Sequence, residues 1–276
     1  MKRILTVQDI SCVGKCSLTV ALPIISAAGV EAAVLPTAVL STHTAFPEYT
    51  FRDLTDEMQP IADVFERLGL NFDALYTGYL GSPAQIDFIE KLIDRADKRM
   101  FVEIDPVMAD NGLLYPGFTQ EVADRMAKLC SKAALMSPNL TEASFMLHIP
   151  YRENYDEAYI RDVLVRLTDM GAGCAAITGV TLGKERIGVY AYHADTKEFF
   201  FYDNEKLPVS YHGTGDIFAS ATLGAVMRGK SVDDALHIAV DYTLACMKKT
   251  LIDENRRFYG VNFEEALPSY IRSVNE

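Results

Sequence analysis

The segment YHGTGDIFAS at 211–220 places Gly213, Thr214 and Gly215 in a tight turn, with Asp216 directly before an apolar run. A helix starting there exposes backbone N–H groups that have no internal partner and carries the positive end of the helix dipole, so it attracts an anion. Two readings are open. In one, Asp216 is that anion and caps its own helix. In the other, Gly213, Thr214 and Gly215 offer bare N–H groups to a transferring phosphate, while Asp216 takes the proton of an attacking hydroxyl. Glycine matters in the second reading because a side chain there would block the approach.

Four more segments carry groups of the right type. In SPNLTEA (137–143), Asn139 and Glu142 lie one helical turn apart after an apolar run. Alone this fragment reads as a capping box; beside a nucleotide the same pair would orient a hydrated magnesium ion. DPVMADNG (105–112) adds Asp105 and Asp110, on a strand tip and in the loop beyond it, and Asp105 beside Glu142 suggests a shared metal site. LSTHTAF (40–46) puts three hydroxyls and the His43 imidazole in one loop, which alone reads as surface. TGYLGS (77–82) sets Tyr79 between glycines, where it could simply pack against backbone. Lys184 and Arg186 could reach nucleotide phosphates, although solvated charge is the simpler account.

Two nucleotide motifs fail. VGKCS (13–17) ends like a P-loop, yet Asp9 stands where that loop requires its first glycine. GAGCAA (171–176) matches a dinucleotide fingerprint but lies between a helix and a strand, the reverse of the required context. Both read as turns, and nicotinamide chemistry loses its main support.

The elements that must position these groups alternate as in βαβ units around a mainly parallel sheet. Strands are expected at Ile4–Val7, Ala32–Leu35, Ala74–Thr77, Phe101–Ile104, Ala134–Met136 and Ala175–Thr178, then near Gly188–Tyr192 and Glu198–Tyr202. Helices are expected near 15–28, 52–68, 83–97, 118–131, 141–147, 156–170, 215–228, 232–250 and 263–273. The strand runs end in Gln8-Asp9, Thr77-Gly78-Tyr79, Asp105-Pro106, Ser137-Pro138-Asn139 and Thr178-Gly179. In open α/β sheets the ligand crevice lies at the carboxyl ends of strands, so these tips are expected to converge.

Composition narrows the partners. A chain of 276 residues, 49% hydrophobic and without a Pro/Ser-rich linker or charge block, is expected to form one α/β domain over residues 1–276. Its net charge of −12 leaves no electrostatic footprint for nucleic acid or an anionic membrane. The run after Met1-Lys2-Arg3 is too short for a signal-peptide core, and no run reaches membrane-spanning length. Five scattered cysteines argue against a disulfide framework and for a reducing cytoplasm. Cys12 and Cys16 have helical spacing, but no nearby Cys or His pair completes a zinc site.

Taken together, QDISCVGKCSL, LSTHT, TGYLGS, DPVMADNG, SPNLTEA and GTGDIFAS, in that order over nearly the whole chain, resemble the ribokinase-like superfamily. STHT with TGYLGS is similar to its pyridoxal (vitamin B6) kinase branch. The resemblance implies a doubly wound, mainly parallel sheet with helices on both faces. It also implies ATP-dependent phosphorylation of the 5′-hydroxymethyl group of pyridoxal, pyridoxine or pyridoxamine.

By the same resemblance Asp216 is the catalytic base and Gly213, Thr214 and Gly215 form the anion hole. Asp9, His43, Thr44 and Tyr79 surround the pyridine ring; Asp110, Ser137, Asn139 and Thr178 line the nucleotide side; and Asp105 with Glu142 lies near Mg-ATP. A homodimer and a response to K+ are implied by analogy alone. Three departures stand out: Asp9 where pyridoxal kinases carry Ser, Ala109 for a usual Gly that is expected to restrict the ATP loop, and STHT for SNHT. The rival readings are a hydroxymethylpyrimidine kinase and a catalytically silent ligand-binding protein on the same scaffold.

Overall fold

Short apolar runs form strands, and the amphipathic stretches between them form helices, in a computed structural model that describes residues 1–183 and 185–276. The expectation that Lys184 meets a phosphate lies outside the described residues. Met1–Gly81 supplies β1 (Arg3–Val13), α1 (Leu18–Ala27), β2 (Glu31–Thr42), β3 (Phe51–Asp53), α2 (Thr55–Arg67) and β4 (Ala74–Thr77). Ser82–Lys206 forms a second unit. It begins with α3 (Pro83–Arg95), β5 (Phe101–Ile104), β6 (Ala109–Asp110), β7 (Leu113–Leu114), α4 (Gln120–Cys130) and β8 (Leu135–Met136). It continues with α5 (Leu140–Met146), α6 (Glu157–Asp169), β9 (Cys174–Val180), β10 (Arg186–His193) and β11 (Phe199–Glu205). Leu207–Glu276 returns to the first unit with α7 (Thr214–Met227), α8 (Val232–Ile252) and α9 (Phe263–Asn275).

In the first unit the strands run in the order β3-β2-β1-β4, with β1 parallel to both β2 and β4 and β3 antiparallel at the edge. β1 is buried almost continuously from Ile4 to Val7 rather than alternately, as a parallel strand covered on both faces must be. Helix α7 is buried from Ile217 to Ala225, and its small residues let α1 and α8 pack closely. A side chain at Gly224 would overlap the Tyr270 hydroxyl, which donates to the Ala221 carbonyl at 2.9 Å.

The second unit orders its strands β5-β8-β9-β10-β11, parallel through β9 and antiparallel beyond. β6 and β7 form a separate hairpin. Its turn is Asn111-Gly112 at φ 52° and 79°. Asn-Gly favours such a left-handed two-residue turn, yet the segment was expected to be a loop.

Three further expectations change. β1 continues to Val13 and β2 to Thr42, past the apolar runs, because the β1–β2 ladder carries the polar residues along with it. Leu40, Ser41 and Thr42 therefore belong to a strand, not to the expected loop. β3 has no apolar run to announce it; its three residues are all exposed.

Candidate active site

The anion turn begins where the backbone of Gly213 adopts φ 78° as the N-cap of α7. A Cβ there would overlap the Lys15 carbonyl oxygen, so chain packing alone demands glycine, independently of any ligand. Asp216 stands inside the helix. The Ser17 backbone N–H favours its ionised form, and α7 has no side-chain cap. The helix-cap reading of Asp216 is thus corrected: Gly213 holds the cap, and Asp216 faces the 14–17 turn. Burial, with Asp9 adding like charge, pushes the Asp216 carboxyl up to about 7.

Asp9 sits where the β1–β2 register shifts between Gln8 and Ile10, an irregularity that re-aims a side chain. Asp9 caps no helix, because the strand runs on to Val13 and α1 starts only at Leu18. The Asp9 carboxyl instead accepts from the Ser11 hydroxyl at 2.9 Å and from the Ser17 hydroxyl. Burial raises its pKa, and these two donors oppose the rise. Sequence reasoning missed both serines. Ser17 adopts φ 48°, ψ −134°, a conformation that a non-glycine residue holds only when its surroundings impose it.

His43 is buried, contrary to the surface expectation for its loop, while Thr44 is exposed. His43 Nδ1 accepts from the Ala45 N–H at 3.0 Å, so Nε2 carries the proton and donates to the Tyr259 carbonyl at 3.0 Å. Burial lowers its pKa, which keeps the ring neutral. Both ring nitrogens thus have protein partners. Tyr79 is half-buried with its ring against Gly81, as the packing reading expected, and its pKa is raised by burial and then by Asp9.

The second unit gathers the other group. Asn139 caps α5: its Oδ1 accepts from the Glu142 N–H at 2.9 Å, and the Glu142 carboxylate accepts from the Asn139 N–H at 2.8 Å. Glu142 also accepts from the Met108 N–H at 3.1 Å, and Asn139 Nδ2 donates to the Ala109 carbonyl at 2.8 Å. The capping box therefore exists, and it pins the 105–112 segment to α5. Ala109 is buried in β6 with no positive φ, so it fits there without strain. Thr178 bridges to Asn139 and donates its N–H to the Pro138 carbonyl at 2.9 Å. Asp105 and Ser137 are buried, with no partner for the Ser137 hydroxyl among the described residues. Asp110 is exposed and accepts from the Asn111 N–H at 2.8 Å. Arg186 pairs with Asp203 at the exposed edge.

Burial raises the Glu142 pKa despite its backbone donors, and Asp110 raises it further; Asp105 and Glu142 both act on the buried Cys130. Carboxylate oxygens in excess of nearby positive charge are the hard donors that magnesium takes, usually with retained waters. The donor chemistry of Asp105 and Glu142 fits that ion, although no group of three or more His, Cys, Asp or Glu side chains is gathered among the described residues. Glu142→Gln is expected to raise the magnesium concentration needed for activity. It also leaves an amide N–H₂ facing one backbone N–H, which should cost about 1–3 kcal/mol of stability. Magnesium titrations well below the melting temperature check this; an unchanged requirement with lowered stability would leave Glu142 only its capping role.

A doubly wound α/β fold, with a carboxylate behind a glycine turn that opens a helix, is the ribokinase-like arrangement expected from the motifs. The chain belongs to the phosphomethylpyrimidine kinase family, whose model matches residues 22–258. A Bacteroides thetaiotaomicron protein described as a phosphomethylpyrimidine kinase, crystallised with pyridoxal, matches with a TM-score of 0.93 and 38% identity over 98% of this chain and 95% of its own. Pyridoxal kinase from Lactobacillus plantarum matches with a TM-score of 0.91 and 29% identity, over 99% of this chain and 97% of its own. Pyridoxine kinase of Bacillus subtilis is 28% identical over 66% of this chain and 66% of its own length. Among the described residues no helix is long and apolar enough to cross a membrane.

Proposed function

We propose that residues 1–276 act as one kinase domain that uses ATP to phosphorylate the 5′-hydroxymethyl group of a B6 vitamer. The observation that carries this reading is the near full-length likeness to a protein crystallised with pyridoxal, at 38% identity. The first unit supplies the groups for the alcohol. Asp216 accepts the hydroxyl proton as the oxygen forms its bond to the γ-phosphorus and the bond to the ADP oxygen breaks. A carboxyl raised to about 7 suits this task better than an ordinary aspartate, because a general base works best with a pKa near the operating pH. Gly213, Thr214 and Gly215 direct N–H groups at the charge that develops on the phosphate.

Asp9, Tyr79, Thr44 and the carbon face of His43 belong to the ring in this reading. Asp110, Ser137, Asn139 and Thr178 belong to the nucleotide, and Asp105 and Glu142 would hold magnesium, which supplies charge neutralisation for phosphate oxygens. The five free thiols fit a reducing cytoplasm. A homodimer completes the proposal. The test is turnover with ATP and each of pyridoxal, pyridoxine, pyridoxamine and hydroxymethylpyrimidine. A vitamer is expected to give the highest kcat/KM; preference for the pyrimidine, or no turnover at all, would overturn the reading.

A further inference from the structure

Helix α5 ends on a left-handed residue that is not glycine. His148 adopts φ 52°, its N–H donates to the Phe145 carbonyl at 3.3 Å, and the Ile149 N–H donates to the Ser144 carbonyl at 3.0 Å, the Schellman closure of a helix. The segment that follows stops at Asp156, whose side chain accepts from the Tyr159 N–H at 2.9 Å and caps α6. Between these anchors residues 149–156 form a strap with no helix or strand of its own. The Arg152 guanidinium, 4.5 Å from the centre of the Tyr159 ring, fastens its middle.

Two tyrosines leave the strap for the segments on either side of the α5 N-terminus. The Tyr151 ring rests on the bare Cα of Gly112, where a Cβ would come within 2.8 Å of it. On the same turn the Gly112 N–H donates to the buried Thr141 hydroxyl oxygen at 3.0 Å. Tyr155 goes the other way: its hydroxyl accepts from the Thr181 N–H at 3.0 Å, just past the end of β9. Asn139 joins the same two segments from the inside, through the Ala109 carbonyl and its bridge to Thr178. Each segment is thus held twice, once by α5 and once by the strap. Asp110 rides on the first, where the Asn111 N–H and Nδ2 donate to its carboxylate at 2.8 Å and 3.0 Å, and Thr178 sits on the second. Strands of two residues, as in β6 and β7, are too short to hold a hairpin alone, so the place of Asp110 is imposed by what grips the turn.

The geometry points to Tyr151 and Tyr155 as positioning residues for the nucleotide: the strap holds the 109–114 hairpin and the 178–181 segment at a fixed separation, so that Asp110 and Thr178 meet the ligand already ordered. Binding groups fixed beforehand need not be immobilised when the ligand arrives, and affinity gains by that difference. The identity of the ligand rests on the kinase reading; the two-sided grip does not.

Three variants of the full chain test the inference. Tyr155→Phe removes the acceptor of the Thr181 N–H and keeps the ring, Tyr151→Ala uncovers Gly112, and Tyr151→Phe leaves a ring on it. The dissociation constant of ADP with magnesium, read by calorimetry, should rise about three- to tenfold in Tyr155→Phe, the range of one lost hydrogen bond, and at least as far in Tyr151→Ala. Tyr151→Phe should bind as the wild type does. KM for ATP should rise in step, while kcat at saturating ATP and KM for the vitamer stay where they are. A strap that only supports the fold would lower the melting temperature and leave ADP affinity untouched, and that result in folded Tyr155→Phe and Tyr151→Ala would overturn the inference. A kcat that falls with ADP binding unchanged would overturn it as well. A wild type that binds ADP but phosphorylates no vitamer refutes the kinase reading and leaves the calorimetric test intact; a wild type that binds no ADP ends both.

Discussion

Asp216→Asn is expected to lower vitamer turnover by about a hundredfold or more while ATP affinity changes little, because asparagine fills the same space but cannot accept the alcohol proton. In the wild type, kcat should rise with pH through about 7 as Asp216 ionises. Stability gives a second readout. The folded carboxyl titrates at about 7 against an ordinary value of 3.8, so the folded chain holds this proton more tightly than the unfolded chain does. Its contribution to stability is complete below the unfolded value and is lost as pH rises through the folded one. Asparagine has no proton to lose there. The melting temperature of Asp216→Asn relative to wild type should therefore climb across that window. Near-normal turnover would remove the base role, and a flat difference in melting temperature would remove the buried charge.

Much of this site was legible in the chain because its parts are local. Ala74–Thr77 and Phe101–Ile104 are strands at their expected bounds, since each is an apolar run stopped by residues that cannot continue it. Asn139 and Glu142 bond to each other as their spacing allowed. What the chain hid depends on partners far away in sequence. Gln8, Asp9 and Ser11 are polar, yet they are buried in β1, with Gln8 donating to the Thr6 hydroxyl and Asp9 accepting from the Ser11 and Ser17 hydroxyls. The φ of Ser17 cannot be read from a serine; it accompanies the hydrogen bond that the Ser17 hydroxyl makes to Asp9 in β1. His43 was expected in a surface loop, and only the Tyr259 carbonyl, supplied from the far end of the chain, makes its burial affordable in polar terms. The Asn111-Gly112 hairpin was the one local signal passed over.

Asp9→Ser is expected to weaken vitamer binding by about tenfold to a hundredfold, the range of a charge-assisted hydrogen bond at about 1.5–3 kcal/mol. The two serine hydroxyls take one acceptor position on each Asp9 oxygen, and a carboxylate has about four, so capacity remains for a ring N–H. An ionised Asp9 favours the protonated pyridinium, whereas serine hydrogen-bonds the ring nitrogen without selecting its charge. Wild-type affinity should therefore fall as pH rises and the bound ring loses its proton, and the variant should show a flatter profile. ATP affinity should hardly move, since this reading gives Asp9 to the pyridine ring and not to the nucleotide. The competing account is that Asp9 only anchors Ser11 and Ser17. Under it, replacement would lower the melting temperature and leave vitamer affinity untouched. Dissociation constants for both proteins from about pH 5.5 to about 9, spanning the range in which imidazole-like and pyridine-like groups titrate, separate the two accounts. Superimposable profiles with equal affinities would sink the ring-nitrogen role and leave Asp9 as an anchor of the turn.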